Sequence, residues 1–259
     1  MTPNSANDLS ASIGRHGAYI WETKRILEMY IDTQDYDAVK EAVLEENLLR
    51  KGSERYREDI LAEITSRYHI DKEKYSETPL IRVFKRSVEE SIREWVLYYE
   101  FSQDPVVSLL TTEFLYSEFH NGTLAVRKED VIDFLDQSKS EYPVLGSWSE
   151  NTLLSVAEHY LAAMKNFGLL EGNTKKEFRY VYLPDQIVSY VLYSLFEDGT
   201  TTVEDVIEDQ AWKLLLMDTD DVRDRLHDVS PSYVRYEKRG SVERLEPKYE
   251  SLKECVDEF

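Results

Sequence analysis

The chain has 259 residues, with 31 Lys and Arg against 51 Asp and Glu, and therefore a formal net charge of −20. This length allows one large domain, or two small ones, with a real core. Such acidity favours solubility and argues against nonspecific attraction to nucleic acid or to an anionic membrane. It also resembles the surface bias of halophilic proteins, so we expect a salt-adapted source.

Cysteine content and hydropathy both favour a cytoplasmic protein. Cys255 is the one cysteine, so no intrachain disulfide can form and a reducing compartment is expected. No apolar run approaches the roughly 18 residues that read as a membrane span; Val188–Phe196, among the longest, is about half that. The N-terminus lacks the basic and apolar regions of a signal peptide. We therefore expect no membrane partner.

The charge is unevenly distributed along the chain. The stretch from Asn47 to Arg93 holds 11 basic and 9 acidic residues, a local charge of +2, so the remainder carries −22. One explanation is a local basic surface with an anionic partner. The alternative is chance fluctuation among mixed-charge amphipathic helices.

The N-terminal part predicts a disordered lead followed by three short helices. Residues 1–16 form the lead, and a first helix covers about Ala18 to Asp32. Asp35 can cap a second helix. The three-residue break Lys51-Gly52-Ser53 then ends that helix, and its serine caps a third. Residues 17–75 therefore predict a helix-turn-helix unit.

Residues 76–145 predict a helical middle region. Pro79 opens a helix that continues to about Phe101. Asp104-Pro105, a cap followed by proline at the first helical position, starts another that continues to about His120. Asn121-Gly122 ends it, and a further helix covers about Lys128 to Gln137. We expect this region to be scaffold.

Residues 146–259 predict a winged-helix-like unit with small β-hairpins. Ser149 caps a helix that ends in Phe167-Gly168-Leu169-Leu170, and a turn then leads into the β-rich run Phe178–Leu183. This order is typical of winged helices, in which a strand pair forms a wing beside the recognition helix. Further helices follow, and a terminal hairpin is predicted over Val234–Leu245. The predicted fold class is mostly α.

Several short motifs occur in a fixed order, and the ordered set matters because no single motif is a sharp signature. They are Glu22, Ile26, Tyr30, Glu46-Asn47-Leu48-Leu49, Ser53, Ile60, Arg67, Tyr68, Tyr98-Tyr99-Glu100-Phe101, Ser149–Thr152 and Phe167-Gly168-Leu169-Leu170. With the terminal hairpin, this set resembles the BrxA family of bacteriophage-exclusion (BREX) defence systems over most of the chain. The resemblance implies a small, mostly helical, non-enzymatic component that binds double-stranded DNA. It also implies other BREX defence proteins as partners.

The first candidate nucleic-acid-binding cluster lies at the predicted start of the third helix. Its members are Arg50, Lys51, Ser53, Arg55, Tyr56 and Arg57. A helix N-terminus offers free backbone N–H groups to a phosphate, and neighbouring arginines add charge-assisted hydrogen bonds. The arginines could also reach guanine edges in the major groove. The alternative is a solvated helix start whose arginines pair with Glu54 and Glu58.

The second candidate cluster combines the start of the Ser149 helix with the predicted wing. Its members are Asn151, Thr152, Lys175, Lys176 and Arg179. Wings commonly contact phosphate, but a plain hairpin with solubilising lysines fits the pattern equally well. Lys238 and Arg239, at the later hairpin turn, are weaker candidates.

Asn47 predicts a structural role instead. Helical spacing from Val39 and Val43 places it on the apolar stripe of the second helix, where a polar side chain needs a hydrogen-bond partner. We expect it to bond nearby backbone and fix the turn.

Enzymatic motifs are absent from the sequence. The five histidines show no metal-ligand spacing, and there is no HExxH, P-loop or nucleophile elbow. The acidic run at Asp218–Asp224 lacks the glycine and the spacing of a calcium loop. We expect no enzymatic activity, metal or cofactor. The function predicted is a double-stranded-DNA-binding accessory subunit; the alternative is a protein-interaction adaptor without DNA contact.

Overall fold

The computed structural model describes residues 9–200, 202–240 and 242–259. Helices make up most of it, as predicted, and their bounds are α1 (Ile13–His16), α2 (Ile20–Thr33), α3 (Tyr36–Leu44), α4 (Glu54–Arg67), α5 (Pro79–Lys85), α6 (Glu90–Phe101), α7 (Pro105–Leu109), α8 (Tyr116–His120), α9 (Lys128–Gln137), α10 (Glu150–Asn166), α11 (Asp185–Glu197), α12 (Val203–Ile207), α13 (Ala211–Leu214), α14 (Thr219–Val229) and α15 (Leu252–Asp257). The strands are β1 (Ala125–Val126), β2 (Leu170–Glu171), β3 (Lys176–Phe178), β4 (Val234–Arg239) and β5 (Val242–Pro247).

Helices α3 and α4 begin where their capping residues predict. The Asp35 side chain accepts a hydrogen bond from the Asp37 N–H, and Ser53 accepts one from the Tyr56 N–H. Helix α2 packs on α3, and α3 packs on α4. However, α3 ends at Leu44, so the loop 45–53 replaces the predicted three-residue break. It is longer than the three to four residues typical of a helix-turn-helix, and that detail of the prediction is not confirmed.

The helix predicted from Pro79 to Phe101 is two helices, α5 and α6. The chain between them turns extended at Arg86, whose ψ is 153°. The Arg93 guanidinium donates to the Arg86 carbonyl at 2.7 Å and so stabilises the break. The division lets α5 lie against α2 and α15 while α6 packs on α11. Tertiary packing therefore decides a break that helical periodicity does not reveal.

The helix predicted from Asp104 to His120 is continuous but contains a π-helical turn. Asp104 caps it by accepting from two backbone N–H groups, and the π turn covers Leu110–Leu115 between α7 and α8. Thr111 donates to the Val107 carbonyl at 2.7 Å and lies 3.2 Å from the Tyr160 hydroxyl. These contacts connect α7 to the core side of α10.

Strands β1, β2 and β3 form one antiparallel sheet in the order β1–β3–β2. Helices α9 and α10 lie between β1 and β2 in sequence and pack on each other. Pairing between β1 and β3 crosses the boundary predicted at residues 145 and 146. The strand predicted over Phe178–Leu183 ends at Phe178, because β1 and β2 each have two residues and offer little further ladder to pair with. Residues 179–184, which follow, belong to no helix and pair with no strand in the described part of the chain.

Helix α10 buries the predicted stripe completely. Each of its five predicted core side chains is 3% exposed or less, namely Leu153, Ala157, Tyr160, Leu161 and Met164. This apolar face packs toward α9 and β2. The periodicity of this helix therefore predicts its buried face correctly.

Helix α1 lies across α10 in unusually close contact. A Cβ atom added at Gly14 would meet the Val156 side chain at 3.2 Å, and the Ser155 hydroxyl donates to the Gly14 carbonyl at 2.6 Å. In the lead predicted to be disordered, residues 1–8 lie outside the described residues. The rest folds, because Ile13 is 1% exposed against α10.

The C-terminal part returns to the middle of the chain. Helix α15 packs on α5 and α11, and the predicted terminal hairpin forms as β4 and β5. Arg82 of α5 and Asp257 of α15 form an ion pair at 3.0 Å. Among the described residues, no helix combines the length and the apolar character that a bilayer crossing requires.

Candidate nucleic-acid interface

The loop before α4 is held by backbone geometry and one asparagine. Asn47 and Arg50 adopt left-handed φ values of 56° and 52°, a conformation that asparagine tolerates well. The Asn47 side-chain oxygen accepts from the Lys51 N–H at 2.8 Å. Asn47 thus bonds nearby backbone, as predicted, although it lies beyond the end of α3 rather than on its apolar stripe.

Arg57 faces the protein rather than solvent. One terminal nitrogen donates to the Leu44 carbonyl at 2.5 Å, and the other donates to the Lys51 carbonyl at 3.1 Å. The guanidinium therefore joins the end of α3 to the loop before α4. Both terminal nitrogens bond backbone oxygens, so Arg57 is less available for the predicted contact with nucleic acid than a guanidinium that faces solvent.

Lys51 is neutralised by a carboxylate of another helix. Its Nζ atom lies 2.5 Å from the Glu22 carboxylate of α2, and both side chains are largely shielded. This pair connects the loop to α2. Lys51 is consequently a weak candidate for a phosphate contact.

Four neighbouring residues remain available at the start of α4, and we call them the α4 basic surface: Arg50, Ser53, Arg55 and Tyr56. In residues 9–200, 202–240 and 242–259, neither arginine side chain forms a hydrogen bond or an ion pair. The alternative pairing of Arg55 with Glu54 or Glu58 is therefore not observed. Tyr56 is 43% exposed. Two unpaired guanidinium groups thus lie beside a helix N-terminus that Ser53 caps.

The start of α10 offers less than the sequence predicts. Asn151 is exposed, but the Thr152 hydroxyl lies 2.9 Å from the Ser149 hydroxyl within the helix cap. Farther along the exposed side, Glu158 pairs with Lys128 at 2.7 Å. The solvent face of α10 is therefore neutral to acidic.

The β2–β3 turn, residues 172–175, brings two lysines together. Gly172 has a φ of 92°, and a Cβ there would lie 2.4 Å from the Lys175 carbonyl oxygen, so the tight turn requires glycine. Lys176 donates to the Gly172 carbonyl at 3.1 Å, and Lys165 of α10 donates to the Asn173 side chain at 2.8 Å. Burial, and then the charge of Lys165, lower the pKa of Lys176. These two cations are bonded to neutral oxygens.

The other two basic residues of the predicted wing have acidic neighbours. Lys175 lies 3.7 Å from the Glu177 carboxylate, and Arg179 lies 3.8 Å from that of Glu171. Lys165 was missed at the sequence level. Its position in the last turn of α10, directly before the glycine turn, is the signal that could have identified it.

A groove along α10 lies next to Tyr19, which contacts the α4 basic surface. The Tyr56 hydroxyl lies 3.3 Å from the hydroxyl of Tyr19, and burial raises the pKa of Tyr19, so this phenol stays protonated. Tyr19 and Trp21 line a groove of about 570 Å³ together with Ala162 and Asn166 of α10. Tyr19 therefore contacts Tyr56 of the α4 basic surface and also lines the groove along the C-terminal half of α10.

The acidic start of α14 is explained by helix capping. His120, Asp218 and Asp221 lie close enough to offer ligand atoms within 4.8 Å of one another, and all three are exposed. However, Asp218 accepts from the first backbone N–H groups of α14, and Asp221 accepts from the Asp218 N–H at 3.1 Å. These carboxylates thus form a capping box, and we assign no metal to them.

A second exposed surface was missed in the sequence. Tyr180 and Tyr182, which follow β3, are 97% and 71% exposed. Two tyrosines spaced by two residues in an extended segment point to the same side, and this alternation was available in the sequence. Predicting a strand there does not reveal whether another part of the protein covers these two side chains.

Comparison with known proteins gives a family and a fold. The family model described as BrxA matches residues 8–193. The crystal structure of an uncharacterized protein from Magnetospirillum magneticum is similar over 80% of this chain and 98% of that one, with a TM-score of 0.60 and 14% sequence identity. No curated protein matches the chain. At this identity the structural similarity is evidence of fold alone.

Proposed function

The chain belongs to the BrxA family by its match over residues 8–193, and from that premise we propose that it binds double-stranded DNA as a component of a BREX antiphage defence system. The α4 basic surface supplies the principal phosphate contacts. The observation that carries this proposal is the pair of unpaired guanidinium groups, Arg50 and Arg55, in a chain of net charge −20.

The local chemistry at α4 supports contact with a phosphate. Guanidinium groups bind phosphate oxygens through charge-assisted and often bidentate hydrogen bonds. The positive end of the α4 dipole adds to this attraction over its first turn. Because Arg50 and Arg55 pair with no carboxylate of the described residues, a phosphate would gain both cations without breaking an ion pair seen there.

We assign a second contact to Lys165 and Lys176 beside the β2–β3 turn. Their mutual repulsion, which helps to lower the pKa of Lys176, would be relieved by an anion between them. The order α7–α8, β1, α9, α10, β2, β3, with sheet order β1–β3–β2, supports a winged-helix assignment in which this turn is the wing. On that assignment, α10 occupies the position of the recognition helix.

The exposed side of α10 favours binding with weak sequence preference. Glu158 is paired with Lys128 and would repel a phosphate-lined groove, and residues of α1 and the start of α2 cover a neighbouring side. Contacts to phosphate position a protein on DNA but carry no sequence information directly. We therefore propose a binder that reads the backbone more than the bases.

Fluorescence anisotropy with a labelled duplex of ~30 bp over a salt series tests the proposal, since phosphate contacts produce a steep linear dependence of log K on log salt. The variant Arg50→Glu/Arg55→Glu should weaken binding and lower the magnitude of that slope by about 2. The matched control is Arg244→Glu/Lys253→Glu, which changes the net charge equally at two other exposed cations. Equal weakening by the control, or no binding of the wild type at low salt, would exclude the α4 basic surface as a DNA site.

The alternative function, an adaptor without DNA contact, predicts a different result. Such a protein would co-purify with other defence proteins after nuclease treatment and would show no salt-dependent duplex binding.

A further inference from the structure

The segment 179–183 follows β3, belongs to no helix or strand, and exposes alternate side chains. Tyr180 and Tyr182 are 97% and 71% exposed, whereas Val181 and Leu183 between and after them are partly buried. Isolated exposed apolar residues are normal, but two aromatic rings beside an apolar groove indicate an interaction site. This surface lies outside the proposed DNA contacts.

A groove of about 530 Å³ lies beside this segment. Its floor includes Leu215, Leu216 and Met217, each at most 8% exposed. Leu216 has a left-handed φ of 57°, which is strained for a leucine and is held only by surrounding structure. The Met217 N–H donates to the Trp212 carbonyl at 3.1 Å, so the floor is fixed before any partner arrives.

The charges at the rim do not balance. The two arginines that line the groove have acidic partners: Arg225 lies 2.7 Å from Asp185 and 2.8 Å from Asp228, and Arg179 lies 3.8 Å from Glu171. In contrast, Asp221 and Asp224, which also line the groove, have no cation within 4.0 Å in the described part of the chain. Both carboxylates are exposed. The groove therefore complements a ligand that carries positive charge beside apolar groups.

The backbone of the segment is also available. The N–H groups of Tyr180, Val181 and Tyr182 donate to no other group among the described residues. The segment follows the central strand of the sheet, beyond the last residue that either neighbouring strand pairs with, and unpaired backbone of this kind is a template for an added strand. In this recognition mode the main chain supplies affinity, and alternate side chains supply specificity.

We propose that residues 179–183, the Leu215–Met217 floor and the Asp221 and Asp224 rim, together called the tyrosine groove, bind an extended segment of another protein. In that segment apolar side chains alternate with lysine or arginine. A nucleic acid is disfavoured because its phosphates would meet two aspartates that have no cationic partner among the described residues. A second copy is disfavoured because both chains carry −20. The inference is independent of the proposed DNA binding.

A synthetic probe tests the chemistry directly. A fluorescein-labelled peptide of alternating leucine and lysine should bind the full chain, and the matching peptide of leucine and glutamate should not. Tyr180→Ala/Tyr182→Ala and, separately, Asp224→Lys should each weaken binding about tenfold or more, the scale of losing an interface anchor. Both changes are at exposed side chains, so circular dichroism should stay unchanged.

Two matched controls separate the groove from general acidity. Asp133→Lys reverses an exposed carboxylate of α9, and Trp21→Ala removes an exposed ring from the other groove. Each should change peptide affinity less than about twofold, as expected for sites distant from the contact. Equal losses in the controls, or equal binding of the glutamate peptide, would overturn the proposal.

Photocrosslinking in cells that carry the complete defence system identifies the occupant. The crosslinker p-benzoylphenylalanine replaces Tyr180, and the same replacement at Trp21 is the control. A Tyr180-dependent crosslink to another protein, at a segment with alternating apolar and basic residues, is the expected result. A crosslink to a second copy or to nucleic acid, or none at all, would overturn the proposal.

Discussion

The α4 basic surface and the tyrosine groove both expose aromatic rings, but their unpaired charges are opposite. Among the described residues, Tyr56 is 43% exposed beside two guanidinium groups without an acidic partner, whereas Tyr180 is 97% exposed beside two carboxylates without a cationic partner. The net charge of −20 describes the whole chain and does not predict the charge of either surface. The comparison teaches that the partner class is indicated by which charges lack an internal partner, because paired charges are already neutralised where they stand.

The largest expected effect tests which arginines belong to the α4 basic surface. Arg57→Ala removes two charge-assisted hydrogen bonds and leaves the Leu44 and Lys51 carbonyls without that donor, so the free energy of unfolding should fall by about 2–3 kcal/mol. Arg55→Ala is the matched control and should change it by less than about 0.5 kcal/mol. Urea denaturation measures both. If the two variants were equally stable, Arg57 would have no structural role and would belong with Arg50 and Arg55 in the α4 basic surface.

A crossed pair of variants tests whether the two surfaces are separate. Arg50→Glu/Arg55→Glu should lower duplex affinity about tenfold or more and leave binding of the leucine–lysine peptide unchanged. Asp224→Lys should do the reverse. Anisotropy measures the affinity of each variant for the duplex and for the peptide, which gives four affinities to compare with the wild type. A variant that weakens both interactions would show that the surfaces are coupled and would break the comparison.

A smaller effect is expected at the loop that positions Arg50. Asn47→Ala removes the hydrogen bond to Lys51 and places alanine at a φ of 56°, so stability should fall by about 1–2 kcal/mol. Asn47→Gly keeps the backbone conformation accessible and should cost less. Denaturation gives the stabilities, and anisotropy should show weaker duplex binding for the alanine variant. Equal stability of the two variants would mean that backbone strain has no part in holding the loop.

The smallest effect concerns the pKa of Lys176. Burial and Lys165 lower this pKa, so between the folded and the unfolded values the folded chain binds fewer protons and its stability rises with pH. Lys165→Met should raise the pKa of Lys176 toward its ordinary value, by removing the second cause only. NMR titration of the lysine side chains measures it. An unchanged pKa would leave no electrostatic coupling to support a phosphate site there.

Local signals predicted the helices well, because caps and periodicity act over a few residues. Asp35, Ser53 and Asp104 each cap a helix as predicted, and the stripe of α10 is buried. The break at Arg86 could not be predicted in this way, since it depends on where α5 meets α15, a contact between residues far apart in sequence.

The sequence predicted which residues lie at the candidate site, but not which of their side chains are already bonded within the protein. Arg55 and Arg57 are two residues apart and identical in type, and the positions of the Leu44 and Lys51 carbonyls distinguish them. Similarly, the sequence around Tyr180 and Tyr182 is typical of a strand. It does not reveal that β1 and β2 are too short to pair with the chain beyond Phe178. Side-chain partners set by tertiary structure decided both cases.

The contact of α1 with α10 imposes an order on folding during synthesis. Gly14 meets Ser155 and Val156, about 140 positions later in the chain. At a translation rate of about 5–20 residues per second, α1 waits on the order of ten seconds for its docking surface to leave the ribosome. Closing so distant a contact is also intrinsically slow. The residues of α1 thus cannot reach their final position before α10 has been synthesised, and a bulky fusion near Gly14 would interfere at that step.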